Sequence, residues 1–177
     1  MSNTVENEMV ILVDEQDNEI GTMEKMQAHR EGKLHRAVSV FIFNAKKELL
    51  LQKRAKGKYH SPGLWTNTCC THPRQGETVK QAAVRRLGEE MGLSCPLHKA
   101  FSFIYEEKMS NGLIEHEFDY VFAGIADGKP TPEESEVEAF RYVTVDVLDK
   151  EIRTNPEHFT EWFKICYDKY FFELFKG

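Results

Sequence analysis

The segment from Glu77 to Met91 constrains the fold most, because it is the clearest helix of the chain and follows a long stretch of turn-forming residues. Its apolar residues recur at helical spacing, namely Val79, Ala82, Ala83 and Leu87. Gly92 is placed to end this helix. The preceding residues 55–76 are polar and interrupted by Gly57, Pro62, Gly63, Pro73 and Gly76. So long a stretch with little regular structure is usually functional, and we expect residues 55–76 to carry function.

Runs of β-branched and aromatic residues predict a sheet packed against this helix. The predicted strands are residues 9–13 and 19–23, which form a first hairpin, 37–43 and 48–54, which form a second, and 100–105, 114–123 and 137–144. Residues 24–36 are polar, and their pattern is ambiguous between elements. From Asn155 as N-cap through Phe175, aromatic residues at helical spacing predict one long helix that covers the sheet. The predicted class is α+β, with a mixed sheet between helices.

The length of 177 residues is that of one domain, and we expect a single domain over residues 1–177, with 1–8 as a flexible N-terminus. A net charge of −6, from 23 Lys and Arg against 29 Asp and Glu, provides no global basic field. This excludes general nucleic-acid binding. The apolar runs fall short of the ~20 residues that cross a bilayer, so we expect no membrane partner. We expect a monomer or a weak dimer.

The N-terminal residues are polar and acidic, without the pattern of a secretory signal or a transit peptide. The cysteines do not resemble a disulfide framework, because adjacent residues cannot bridge without strain. They are Cys69, Cys70, Cys95 and Cys166. We therefore expect reduced thiols and a cytoplasmic protein.

Imidazoles and carboxylates concentrate at three places, which are His29 with His35, then His72, then Glu115-His116-Glu117. On a strand, Glu115 and Glu117 project from one face about 6.5–7 Å apart, so both could reach one ion. Imidazoles combined with carboxylates form an N/O site suited to Zn²⁺ or Mn²⁺. Taken singly, a surface histidine usually has no ligand and an acidic pair on a strand is usually solvated. Spacing alone leaves both interpretations open.

The loop from Thr66 to Pro73 holds two adjacent cysteines just before the helix. A thiol near a helix N-terminus and near His72 has the two influences that favour the reactive thiolate. The alternative is that each cysteine is a small buried hydrophobic residue.

On the helix, Arg86 and Glu90 lie four residues apart and share a face. A carboxylate at Glu90, aimed at the loop, would suit a Mg²⁺ that bridges to phosphate oxygens. The alternative is a helix ion pair worth roughly 0.2–0.5 kcal/mol. Basic side chains that converge from different segments could hold a diphosphate, although without a fold they are also ordinary surface charges. The candidates are Lys25, Arg54, Lys58 and Arg86.

The helix and its loop resemble the Nudix box, a loop–helix–loop that binds a metal and a diphosphate. The matching residues are Glu77, Arg85, Leu87, Glu89, Glu90, Gly92 and Leu93. Thr71 stands where the box has its first Gly, and Arg86 where it has Glu. With the segments Thr66 to Pro73 and Glu115 to Tyr120, the chain resembles type 1 isopentenyl diphosphate isomerases from about His29 through Trp162. The resemblance implies a Nudix-like fold, a mixed sheet sandwiched between helices.

The resemblance also implies two cation sites and a catalytic set. One Mn²⁺, Zn²⁺ or Mg²⁺ would be bound by His29, His35, His72, Glu115 and Glu117. One Mg²⁺ would arrive with the substrate diphosphate and bind Glu90 and the main-chain carbonyl of Cys70. The family's diphosphate contacts match Lys25, Arg54, Lys58 and Arg86. The family's catalytic positions match Cys70, Glu117, Tyr105 and Trp162.

The implied reaction is the reversible 1,3-allylic proton shift that converts isopentenyl diphosphate to dimethylallyl diphosphate, for isoprenoid biosynthesis. Glu117 with Tyr105 would be the acid and Cys70 the base, with the roles exchanged in the reverse direction. Trp162 would offer a π face to the carbocation, and its alternative role is core packing. A Nudix pyrophosphohydrolase is the alternative function, but Arg86 removes one carboxylate that it would need. The third candidate function is a non-catalytic Nudix-like binding module. Such a module should lack a coherent set of acid, base and metal ligands.

Overall fold

The computed structural model describes residues 8–58 and 60–171. Within them a mixed sheet lies between helices, which confirms the predicted α+β class. The elements are β1 (Met9–Val13), β2 (Glu19–Glu24), α1 (Lys25–Glu31), β3 (His35–Phe43), β4 (Leu49–Arg54), β5 (Trp65–Thr66), β6 (Cys69–Thr71), α2 (Val79–Met91), β7 (His98–Lys108), β8 (Ile114–Ile125), β9 (Val137–Val143), α3 (Val145–Thr154), a 3₁₀ turn (Pro156–His158) and α4 (Glu161–Tyr170).

Strand β3 lies at the centre of the sheet, because almost all of its β-branched and aromatic side chains are buried. It pairs in parallel with β8 along its whole length and antiparallel with β6, where Ser39 lies opposite Cys70. The first predicted hairpin, β1 with β2, is confirmed. The second is only partly formed, since β3 and β4 pair at Phe43 and Leu49 alone. The supposedly irregular residues 55–76 contribute the short strands β5 and β6.

Successive side chains of β3 point to opposite faces of the sheet, as the period of a strand requires, and they pack into two hydrophobic cores. Val38 and Val40 pack with Ala82, Ala83 and Leu87 of α2, which confirms the predicted apolar stripe. On the opposite face, Phe41 and Phe43 belong to the core under α3 and α4. The sheet is therefore covered by helices on both faces.

The prediction of one continuous helix from Asn155 to Phe175 is wrong. The chain forms a 3₁₀ turn, becomes extended at Phe159 and resumes as α4 only at Glu161. The break arises because the Thr160 N–H donates to the carbonyl of Trp65 at 3.0 Å, which ties this segment to β5 and buries Phe159. A further helix, α3, precedes the turn and was not predicted, although Thr144 is its N-cap.

Two parts of the sequence predictions fall partly outside the described residues. Of the segment 1–8, only Glu8 is described, and its carboxylate lies 2.6 Å from Nζ of Lys25. Residues 172–177, at the end of the predicted long helix, also lie outside. Among the described helices, none has the length and apolar character needed to cross a membrane.

Gly92 ends α2 in a left-handed conformation (φ 62°), as its sequence position predicts. A Cβ added there would lie 1.9 Å from Oγ1 of Thr131. We expect Gly92→Ala to lower the free energy of unfolding by about 2 kcal/mol or more, since backbone strain and a steric clash add. Gly76→Ala is the matched control, because Gly76 has φ 81° but no atom within 4 Å of its added Cβ. Urea denaturation measures the free energy of unfolding of both variants. Equal losses in the two variants would refute a steric clash at Gly92.

Candidate active site

A cavity of about 440 Å³ opens between the N-terminal part of the molecule, β3, β6, β8 and the start of α4. Predicted site residues from distant segments of the chain line this cavity. They are Lys25, Arg54, Lys58, Cys70, His72, Arg86, Glu90, Tyr105, Glu115, Glu117 and Trp162. The remaining two, His29 and His35, contact His72 with ring centroids 5.9 and 5.0 Å away. The structure therefore brings all the predicted site residues together.

The three imidazoles of His29, His35 and His72 converge, with one ring nitrogen from each within 4.8 Å of the others. Backbone carbonyls orient two of these rings. Nδ1 of His29 donates to the carbonyl of Lys25 at 2.7 Å, and Nδ1 of His35 donates to that of Lys33 at 2.8 Å. Because a carbonyl only accepts, Nδ1 carries the proton and Nε2 keeps its lone pair, which is the tautomer of a metal-ligating histidine.

His35 shows that the cluster fits a cation. Its buried Nε2 makes no hydrogen bond to any residue in the described part of the chain. Burial lowers the pKa of His35 to about 4, which keeps the ring neutral as metal binding requires. A Glu117 oxygen lies 3.8 Å from this nitrogen and 3.1 Å from Nε2 of His72. The cluster, with its nearby carboxylate, can bind a metal ion of the kind that prefers N and O ligands.

The two predicted carboxylates share one face of β8, as the strand period requires, and both are buried. The Tyr105 hydroxyl donates to Glu117 and lies 3.0 Å from Oε2 of Glu115. Burial and then the charge of Glu117 raise the pKa of Glu115 well above its ordinary value. Burial is the largest single effect and would raise the pKa of Glu117. The hydrogen bond and charge of His72, together with His35 and Tyr105, outweigh it and lower that pKa. The surroundings therefore shift the two pKa values in opposite directions.

Strand β6 turns the two adjacent cysteines in opposite directions. Cys69 is fully buried in the core beneath α2, whereas Cys70 faces the cavity. Sγ of Cys70 lies 3.6 Å from Oγ of Ser39 and 3.3 Å from Nδ2 of Asn67. Only one of the two sulfurs can therefore address a ligand in the cavity.

The sequence left open whether the loop cysteines are reactive thiolates or small buried residues, and the surroundings of Cys70 bear on this question. Burial, and next the negative charge of Asp119, raise the pKa of Cys70 to about 12. These effects outweigh the hydrogen bonds with Ser39 and Asn67, which lower the pKa. Cys70 is therefore a neutral thiol whose orientation is set by Ser39 and Asn67.

The predicted basic residues line the cavity, and each of three carries an acidic partner. Nη2 of Arg86 lies 2.7 Å from Glu90 and 3.2 Å from Glu136. Lys58 also pairs with Glu136, and Lys25 pairs with Glu8. Glu90 is buried and accepts a hydrogen bond from Gln52 at 2.8 Å. Glu90 is thus the partner in a helix ion pair and is also a carboxylate of the cavity wall. The two interpretations of Glu90 do not exclude each other.

Sequence reasoning missed several residues that line this cavity. Glu136 comes from the loop before β9, within an acidic run that carries no motif. Asp119 is buried and accepts a hydrogen bond from Ser39 at 2.7 Å. Its i, i+2 spacing from Glu117 on a predicted strand was the signal that could have found it. His60 lies in the stretch 55–76, with no pattern around it that marks a role.

Trp162 is buried at the start of α4 and closes one side of the cavity. The Arg54 guanidinium lies over its ring, 5.2 Å from the ring centroid. A cation at this distance is attracted by the quadrupole of the indole. Trp162 thus packs in the core and also presents its π system to positive charge.

Comparisons with known proteins agree with this geometry. The model of the NUDIX domain matches residues 33–163. An isopentenyl-diphosphate Delta-isomerase 2 of Aromatoleum aromaticum is 51% identical over 162 residues, covering 92% of this chain and 86% of the relative. An isopentenyl-diphosphate Delta-isomerase of Pectobacterium atrosepticum is 49% identical over 158 residues, with 89% and 88% covered.

Solved structures show the same fold at low sequence identity. The crystal structure of DR0079 from Deinococcus radiodurans superposes with a TM-score of 0.76 at 19% identity, covering 92% of this chain and 99% of the other. A MutT protein from Methanosarcina mazei gives 0.63 at 19% identity, with 77% and 91% covered. These likenesses establish the Nudix fold alone.

Proposed function

The chain belongs to the isopentenyl-diphosphate Delta-isomerase family within the NUDIX superfamily, and on that premise we propose how its cavity isomerises isopentenyl diphosphate. The reaction moves a double bond by one position and leaves the diphosphate intact. A proton is added to the terminal alkene carbon, the positive charge forms at the tertiary carbon, and a proton leaves the carbon nearer the diphosphate. The cavity must therefore supply one proton donor, one proton acceptor and an anion site.

The observation that carries the proposal is that Cys70 and Glu117 line one cavity from strands on opposite sides of β3. Cys70 lies opposite Ser39 and Glu117 lies opposite His35, so the two side chains reach the cavity from both sides of β3 and from different points along it. The cavity of about 440 Å³ that they line leaves room for a five-carbon chain. In its protonated form Glu117, with the Tyr105 hydroxyl beside it, delivers the proton to the terminal carbon. Cys70, as the thiolate, removes the other proton. One forward turnover therefore leaves Glu117 ionised and Cys70 a neutral thiol, which are the forms that their pKa values favour in this structure, and the reverse reaction starts from those forms.

The raised pKa of Cys70 is compatible with this role. A thiolate with a high pKa is a stronger base, once formed, than one with a low pKa. Burial also excludes water, which would otherwise capture a tertiary carbocation as an alcohol. Trp162 supplies an aromatic wall for that cation, an interaction worth roughly 2 kcal/mol when desolvated.

The anion site is the cluster of basic residues on the same cavity, which holds the diphosphate through charge-assisted hydrogen bonds. Its members are Lys25, Arg54, Lys58 and Arg86. Glu90 and the carbonyl of Cys70 would hold a Mg²⁺ that arrives with the diphosphate. A hydrolase would instead need carboxylates to activate water, and Arg86 occupies one such position and neutralises Glu90.

The imidazole cluster fits one Mn²⁺, Zn²⁺ or Mg²⁺, which His29, His35, His72, Glu115 and Glu117 would bind. When bound, such a cation supplies positive charge that stabilises the ionised carboxylates. The protein's own part is orientation, because the two backbone carbonyls fix the rings of His29 and His35 before any ion arrives.

We expect His72→Ala to lower the content of tightly bound metal at least tenfold, because one of the three converging imidazoles is lost. Elemental analysis of protein purified without added chelator measures this. His98→Ala is the matched control, since His98 is exposed at the start of β7. Unchanged metal content in His72→Ala would show that the site is wrongly assigned.

The function itself is tested by supplying isopentenyl diphosphate and Mg²⁺ and measuring both the allylic product and released phosphate. Isomerisation yields dimethylallyl diphosphate with no phosphate release. Phosphate release without allylic product would establish the hydrolase instead.

A further inference from the structure

His60 is a buried histidine whose contacts connect three parts of the active site. It lies in the loop between β4 and β5, and only 8% of it is exposed. Its Nε2 is 3.3 Å from Oε1 of Glu115 on β8. Its ring meets Trp162 of α4 edge-on, with centroids 5.4 Å apart and an interplanar angle of 85°. Its backbone carbonyl accepts hydrogen bonds from the Arg54 guanidinium at 3.3 and 3.4 Å.

This imidazole is distinct from the three that converge for a metal ion, because it is not part of the group whose ligand atoms lie within 4.8 Å. It stacks on His29 at a centroid distance of 6.3 Å, beside that group. Its Nε2 instead lies within ion-pair distance of the Glu115 carboxylate. The contact with Glu115 therefore differs in kind from the contacts of His29, His35 and His72.

Glu115 is consequently engaged at both of its oxygens. Oε1 faces His60 at 3.3 Å, and Oε2 lies 3.0 Å from the Tyr105 hydroxyl. Each carboxylate oxygen has a second lone pair, so neither contact prevents Glu115 from also binding a cation. A carboxylate with a polar partner at each oxygen is restricted in its side-chain rotation. The carboxylate of Glu115 is therefore held in one orientation.

We propose that His60 is a positioning residue, which donates an Nε2–H hydrogen bond to Glu115 and braces the edge of Trp162. It thereby fixes the acidic pair relative to the aromatic wall. It touches no reacting atom, and this inference rests on the proposed function. Because Arg54 is held by the backbone carbonyl of His60, side-chain substitutions leave the diphosphate contact in place.

The test uses two substitutions in the full chain, His60→Phe and His60→Gln. Phenylalanine keeps an aromatic edge against Trp162 but has no donor, whereas glutamine keeps an N–H within reach of Glu115. We expect His60→Phe to lower kcat 10- to 100-fold, with KM for isopentenyl diphosphate within about twofold and Tm unchanged. We expect His60→Gln to recover kcat to within about threefold of the wild type. His158→Phe is the matched control, because His158 is exposed outside the cavity.

A fully active His60→Phe would overturn the inference. Equal losses in the phenylalanine and glutamine variants would also overturn it, since a purely structural role would not depend on the N–H. Loss of bound metal in His60→Gln as well as in His60→Phe would show a ligand rather than a positioning residue, because glutamine keeps the N–H donor but not the imidazole. Wild-type protein that forms no allylic product in the same assay would instead overturn the proposed function, so the two failures are distinguishable.

Discussion

Replacement of Cys70 by alanine is expected to lower kcat roughly 100- to 10,000-fold, the range that a general acid or base supplies. Metal content and diphosphate affinity should change little, because the thiol acts on a carbon-bound proton and not on ground-state binding. Stability should also be nearly retained, since Cys70 lies at the cavity wall, where a lost sulfur leaves no closed void. Steady-state kinetics, elemental analysis and thermal unfolding measure these three properties.

Cys69→Ala is the matched control for this prediction. Cys69 is fully buried in the core beneath α2, so its loss should cost about 1 kcal/mol of unfolding free energy and little activity. The two sulfurs are neighbours in sequence, yet the strand directs them into different environments. An active Cys70→Ala together with an inactive, well-folded Cys69→Ala would show that the wrong sulfur had been chosen.

Replacement of Glu117 by glutamine is expected to have the second large effect, with kcat reduced at least 100-fold. Glutamine is nearly isosteric but can neither carry the proton nor provide the negative charge that faces His72 and His35. Bound metal should therefore decrease as well, which distinguishes this variant from Cys70→Ala. The measurements are kcat and metal content on the same preparation.

Glu106→Gln is the matched control, because Glu106 is exposed on the neighbouring strand and pairs only with His116 among the ion pairs of the described chain. We expect wild-type activity and metal content for it. A Glu117→Gln variant with wild-type turnover would remove Glu117 from the reaction.

Local sequence signals predicted the elements whose stability is itself local. Helix α2 has its capping residue, its apolar period and its terminating Gly92 within one segment, so each signal agrees with the others. The break at Phe159 depends instead on a hydrogen bond to Trp65, far away in sequence, and no local pattern reveals it. Strands β3 and β4 likewise pair over only a short stretch, because β6 pairs with β3 and β9 pairs with β4.

The candidate site likewise has features that the sequence predicts and features that depend on contacts between distant elements. Residue chemistry and the family resemblance named the histidines, carboxylates and basic residues, because these types carry their function in the side chain. The protonation of Cys70 could not be predicted, since it is set by burial and by Asp119 in three dimensions. The role of His60 is equally invisible in sequence, because its partners Glu115 and Trp162 come from distant elements.

The measurement that tests the central claim most directly is incubation of the wild-type protein with isopentenyl diphosphate and Mg²⁺ in D₂O. If Glu117 delivers an exchangeable proton and Cys70 removes another across the cavity, dimethylallyl diphosphate should appear with deuterium in its new methyl group. No inorganic phosphate should be released. Phosphate or a monophosphate in stoichiometric amounts, without deuterated allylic product, would contradict the account.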